Sequence, residues 1–188
     1  MRDVYRLDTW LWLPRPRPDV FAFFADAYNL ERITPPFLRF RVLTPGPIPM
    51  RAGTTIDYRI SLHGLPMAWK TEISEWEPPV RFRDVQLRGP YREWVHTHTF
   101  EEQDGGTLVR DTVRYRMWLP QPLAGVANGL LVARDVRTIF LYRHEALQGA
   151  FAVRGQARLG PVTLGGPEPG PATGDVTGET RPPLDPAV

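Results

Sequence analysis

Residues 93–118 read EWVHTHTFEEQDGGTLVRDTVRYRMW, and they hold two alternating runs around a turn. A strand sends successive side chains to opposite faces. Trp94, His96, His98 and Phe100 therefore share one face of the first run, and Glu93, Val95, Thr97 and Thr99 share the other. In the second run, Thr107 to Trp118, one face carries Val109, Asp111, Val113, Tyr115 and Met117. Asp104-Gly105-Gly106 between them is a strong hairpin signal. Counting back from that turn brings 96–98 near 109–113. If the aromatic face points inward, the core holds two imidazoles within reach of the Asp111 carboxylate.

Working outward, alternation continues on the N-terminal side. Val4 to Leu13 reads as a first strand, ended by Arg15-Pro16-Arg17-Pro18. PDVFAFFADAYNLERIT, from Pro18, reads as short helical structure. Proline and an acid suit a first turn, and Pro35-Pro36 ends the segment. Further strands are expected at Phe37–Leu43, Thr54–His63, Met67–Trp76 and Arg81–Leu87, before the Tyr91–Glu102 strand. Thr107–Trp118 is the last strand expected. The period then changes. Val132, Val136, Ile139, Phe140, Arg143 and Leu147 are spaced by threes and fours, so one long helix is expected from Pro122 to about Phe151. The expected architecture is α+β: a curved antiparallel sheet of about six to seven strands around one long C-terminal helix, with two short helices after the first strand. One helix covers such a sheet incompletely, so a cavity between them is expected.

The chain has 188 residues, which suits one domain able to bury roughly 70% of its unfolded surface. The last 34 residues hold seven glycines and seven prolines with little large apolar content. The expected division is thus a ligand-binding domain over 1–154 and a disordered tail over 155–188. The absence of cysteine excludes disulfides and thiolate metal sites and fits a reducing cytoplasm. Lys70 is the only lysine among 23 basic residues and the net charge is +2. The arginines alternate with acids along strands and form no phosphate-tracking stripe, so nucleic acid is not an expected partner. The N-terminus lacks the apolar core of a signal peptide, and no run of about 18 apolar residues spans a membrane.

The stretches PDVFAFFADAYNLERITPP, GLPMAWKTEISEWEPPVRFRDVQLRGPYREWVHTHTFEEQDGGTLVRDTVRY and IFLYRHEAL, within residues 4–151, resemble the START and birch-pollen-allergen superfamily, SRPBCC. The likeness is to its bacterial ligand-binding members of CoxG-like or polyketide-cyclase-like type. The resemblance implies a helix-grip fold with a cavity lined by the concave sheet face and the long helix. Members include lipid carriers, hormone receptors and cyclases, and no catalytic residue carries over.

With that fold, the strand parities direct Tyr58, Trp69, Thr71, Phe82, Asp84, Gln86, Trp94, His96, His98, Phe100, Asp111 and Tyr115 to the concave face, with Ile139 and Phe140 on the helix above. The parity of Arg81–Leu87 also admits the opposite reading, with Val85 and Leu87 inward. Asp84, Gln86, His96, His98 and Asp111 are polar residues where a core would be apolar. Three roles compete: a satisfied structural network, polar anchors for a ligand held by apolar walls, and chemistry, in which His96 or His98 with Asp111 acts as an acid–base pair. A metal on His96, His98 and an aspartate needs a third and a fourth ligand, and no HxxxH helical spacing supplies them, so no metal and no cofactor are expected. No serine elbow and no phosphate-binding glycine loop is present. His144 is expected at the surface or an edge, and His63 in solvent. The functional expectation is binding of a small hydrophobic molecule, lipid-like or aromatic. The alternative is a cyclase- or dehydratase-type enzyme using a His–Asp pair.

Overall fold

The computed structural model describes residues 3–119 and 122–169. Among the described residues, nine strands form one antiparallel sheet: β1 (Asp3–Leu13), β2 (Arg41–Val42), β3 (Thr55–Leu62), β4 (Leu65–Glu77), β5 (Arg81–Arg88), β6 (Glu93–Gln103), β7 (Gly106–Arg116), β8 (Arg158–Leu159) and β9 (Thr163–Pro169). Their order is β2-β3-β4-β5-β6-β7-β1-β8, with β9 also on β1. Two short helices, α1 (Arg17–Ala25) and α2 (Asn29–Arg32), follow β1. After β7 come α3 (Leu123–Ala127), a π-helical turn (Asn128–Val132) and the long helix α4 (Ala133–Ala150).

Local chemistry fixes the meander. The β6–β7 hairpin closes on Asp104 and Gly105, at φ of 51° and 71°. Two successive positive φ values match the right-handed twist of the flanking strands, and aspartate followed by glycine tolerates them. The β3–β4 hairpin repeats the device with His63 and Gly64, at φ of 51° and 85°. Each two-residue turn pins its register, so a strand cannot slip and turn its inward set to solvent.

α4 buries Val136, Phe140, Arg143, His144 and Leu147. Two core clusters lie along it. One gathers Phe21 and Phe24 of α1 with Phe82, Phe100, Leu11 and Leu147. The other gathers Tyr5, Leu7, Val113, Tyr115, Val136 and Phe140.

Three expectations need correction. The strand expected at Phe37–Leu43 shrinks to Arg41–Val42. Pro36–Leu38 form a 3-10 turn instead, closed by Arg39 in the left-handed region at φ 44°. Pro36 opens that turn, where its fixed φ suits a first helical position and no N–H is needed. Thr107–Trp118 is not the last strand, because β8 pairs with Leu11 and Trp12 and β9 pairs with β1 from Asp3 to Asp8. The boundary at 155 is therefore wrong for residues 158–169. Val162 is buried in the core cluster that holds Tyr5 and Leu7, and Leu164 packs on the same cluster. Two isolated apolar residues in a glycine- and proline-rich stretch carry no period, yet they suffice when the edge of β1 supplies the backbone partners. The rest of the expected tail, 170–188, lies outside the described residues.

Candidate functional site

Register builds the site. His98 lies opposite Asp111 of β7 and Phe82 of β5, while His96 lies opposite Asp84 of β5 and Val113 of β7. Asp111 in turn lies opposite Thr9 of β1. Residues paired across antiparallel strands project to the same face. Asp84, both imidazoles, Asp111 and Thr9 therefore form one polar band across four strands. Asp84 points inward, and Leu87 is exposed.

Asp111 is the centre of the band. Its Oδ1 stands 2.8 Å from His96 Nε2 and 2.7 Å from His98 Nδ1. A carboxylate only accepts, so His96 donates from Nε2. The other two ring nitrogens face Asp84 Oδ2: His98 Nε2 at 3.5 Å and His96 Nδ1 at 3.7 Å. The imidazoles lie 3.8 Å apart between centroids, and His98 stacks on Phe82 at 4.2 Å. From α4, Arg143 brings Nη1 to 3.9 Å from Asp111 Oδ1 and lays its guanidinium over Phe140. His144 Nε2 stands 3.2 Å from Thr9 Oγ1.

Burial divides the two imidazoles. For His96, burial and the neighbouring His98 depress the pKa and outweigh the aspartates. For His98, burial acts downward too, but Asp111 and Asp84 outweigh it, and its pKa is raised. Burial alone would raise the Asp111 pKa; the two histidines instead hold it well below the carboxylate range. His144 is lowered, chiefly by burial.

Beside this band is a cavity of about 150 Å³ between sheet, α1–α2 and α4. Its sheet wall includes Ile56, Tyr58, Ile60, Trp69, Thr71, Ile73 and Phe82, and its far side Phe24, Ile33 and Leu38. Trp69, Tyr91 and Trp94 make an aromatic corner, with Trp69 and Trp94 edge-on at 5.3 Å and Tyr91 4.9 Å from Trp94. Asp84, His96, His98 and Arg143 form its polar end. Burial raises the Tyr58 and Tyr91 pKa values above the usual phenol range, so both remain neutral donors.

Of the residues singled out in the sequence, Tyr58, Trp69, Asp84, Trp94, His96, His98 and Ile139 line this cavity. Asp111 stands behind the imidazoles. Tyr115 and Phe140 do not line it. They are packed in the neighbouring core cluster, where Tyr115 stacks on Tyr5 at 5.6 Å. Gln86 is not in the wall either. Its Nε2 donates to the Tyr91 carbonyl at 2.6 Å, which holds Tyr91 in place. His144 is buried, not superficial, because it follows Arg143 on the face that α4 presents to β1. His63 is largely exposed as expected, and it pairs with Asp135 at 2.8 Å. Arg143 is the member that strand parity could not reveal. Its signal was a charge inside the apolar stripe of an amphipathic helix.

Among the described residues, no helix is long and apolar enough to cross a membrane. No curated protein matches the sequence. Solved structures share the fold at low identity. Ara h 8.0201 aligns with TM-score 0.59 and 16% identity, over 79% of this chain and 98% of that one. TTHA0849 from Thermus thermophilus gives 0.57 and 21%, over 77% and 98%. Ginseng major latex-like protein 151 from Panax ginseng gives 0.56 and 12%, over 79% and 98%. Residues 13–139 match the family described as polyketide cyclase / dehydrase and lipid transport. A curved antiparallel sheet gripping a long C-terminal helix, a helix-grip fold shared with these structures, and a family match over most of the sequence lead to one assignment: the chain belongs to the polyketide cyclase / dehydrase and lipid transport family, within SRPBCC.

Proposed function

We propose that this protein binds a small hydrophobic molecule, of about single-ring size, in the cavity between sheet and α4. The observation that carries the reading is the cavity itself: about 150 Å³, walled mostly by aliphatic and aromatic side chains, with Asp84, His96, His98 and Arg143 grouped at one end. An apolar cavity of about that volume is large enough for a benzene-sized guest. Sites for larger, drug-sized ligands run to roughly 300–1,000 Å³, so a long lipid chain would need this interior to open. Size therefore favours an aromatic over a lipid-like occupant. Apolar walls supply most of the binding, and the polar end orients the guest through one oxygen or nitrogen. The test is mass spectrometry of small molecules released from protein purified from its own host. A compact ring compound bearing one or two polar groups is the expected result. Long-chain lipids would overturn the size argument.

A further inference from the structure

We propose that Asp84, His96 and His98 form a divalent-metal site at the polar end of the cavity. Each residue offers one donor atom, and the three atoms lie within 4.8 Å of one another. The finer geometry is more telling. His96 directs Nε2 and His98 directs Nδ1 at Asp111 Oδ1. Asp111 hydrogen-bonds His96 Nε2 and makes a close ion-pair contact with His98 Nδ1, outside hydrogen-bond geometry. The nitrogens left over, His96 Nδ1 and His98 Nε2, both face a single oxygen, Asp84 Oδ2, at 3.7 and 3.5 Å. Bonds of about 2.0–2.2 Å in a tetrahedral site set neighbouring donors roughly 3.3–3.6 Å apart. Small side-chain adjustments therefore close the site. A metal-bound histidine characteristically gives its second nitrogen to a carboxylate, which is the role of Asp111 here for His96.

Charge favours a cation over an anion. Asp84 and Asp111 are two negative charges. Among the described residues, Arg143 is the one positive side chain facing them, at 3.9 Å from Asp111. Two carboxylates against one guanidinium make these surroundings attractive to a cation. Two imidazoles and one carboxylate suit zinc, iron(II) or manganese(II), and three protein ligands leave a position open toward the cavity. The HxH spacing fits a strand as HxxxH fits a helix, because alternate residues share a face. The missing third ligand comes from the neighbouring strand, where Asp84 faces His96. The inference stands on these side chains and does not depend on what fills the apolar part.

The experiment is titration of the full, chelator-stripped chain with Co²⁺, followed by visible absorption, for wild type, Asp84→Asn, His98→Gln and His63→Ala, with circular dichroism to verify folding. One equivalent should bind with the ligand-field bands of a four- or five-coordinate ion. Asp84→Asn and His98→Gln should each weaken binding by about ten-fold or more, and His63→Ala should leave it unchanged. Should His98→Gln fail to fold, Asp84→Asn alone decides, because Asp84 lies at the cavity edge. No ligand-field bands in wild type, or binding equal in wild type and Asp84→Asn, overturns the proposal. Loss of binding on His63→Ala assigns the ion to the His63–Asp135 pair and overturns it as well.

Discussion

The two ends of the interior are built by the same two strands and differ in kind. Along β5, Phe82 and Asp84 are two residues apart, and along β6, Phe100, His98 and His96 succeed one another on one face. At the Phe100 end the space is full. Phe21 meets Phe100 edge-on at 5.2 Å, and Phe24 meets it at 5.2 Å. At the His96 end the side chains are polar and face a cavity. His98, stacked on Phe82, is the boundary. The aromatic end closes the sheet against α1, while the polar end directs its side chains at one another and at open space. Packing the fold and lining the cavity are thus separated by a step of two residues along a strand.

Substitutions should sort by end. The largest loss is expected at the packed end: Phe100→Ala removes a fully buried ring and should cost about 3–5 kcal/mol in denaturant unfolding. A value under about 1 kcal/mol would mean that the aromatic cluster is loosely packed. Next comes Asp111→Asn. It keeps the shape and takes the charge from His96, His98 and Arg143, and it should cost about 1–3 kcal/mol in the ligand-free protein. Unchanged stability together with weakened probe binding would make Asp111 an anchor for the guest and not a structural centre. Val162→Ala should cost about 1–2 kcal/mol, because this side chain is buried in the cluster that holds Tyr5 and Leu7. In a domain of this size that is a fall in Tm of roughly 2–8 °C; no change would mean that the chain beyond 155 adds nothing to the fold. The smallest effect is expected for Asp84→Asn, under about 1 kcal/mol. Its side chain keeps 18% exposure against 5% for Asp111, so a larger loss there would erase the distinction between cavity edge and buried centre.

Much of this contrast was legible in the sequence, because strand parity is a strict rule once a turn pins it. The Asp104-Gly105 turn set 96–98 against 109–113, and the expected approach of both histidines to Asp111 follows from that count. The shared face of Tyr58, Trp69 and Trp94 follows from the same alternation. What parity cannot show is depth along the face. Tyr115 and Phe140 have the right orientation but sit in the packed cluster beyond the cavity. Gln86 has the right parity too, but its amide turns to the Tyr91 backbone. Arg143 and His144 were obscured because a helix stripe is wider than a strand face, so a polar residue at its margin can be buried or not. β8 and β9 were obscured because edge pairing uses backbone groups, which glycine- and proline-rich sequence does not advertise.

The cavity is the centre of the account, and its volume can be tested by filling it. Ile139 projects into it from α4, so Ile139→Trp should occupy the guest's space while leaving the packed end intact. Calorimetric titration of wild type and Ile139→Trp with indole, a compact ring compound, is the most direct measurement. The account predicts saturable binding of one indole per wild-type chain, weakened about ten-fold or more by Ile139→Trp with circular dichroism unchanged, since a guest that fits about 150 Å³ cannot share it with a second indole ring. No binding to wild type, or equal binding to both proteins, would contradict it.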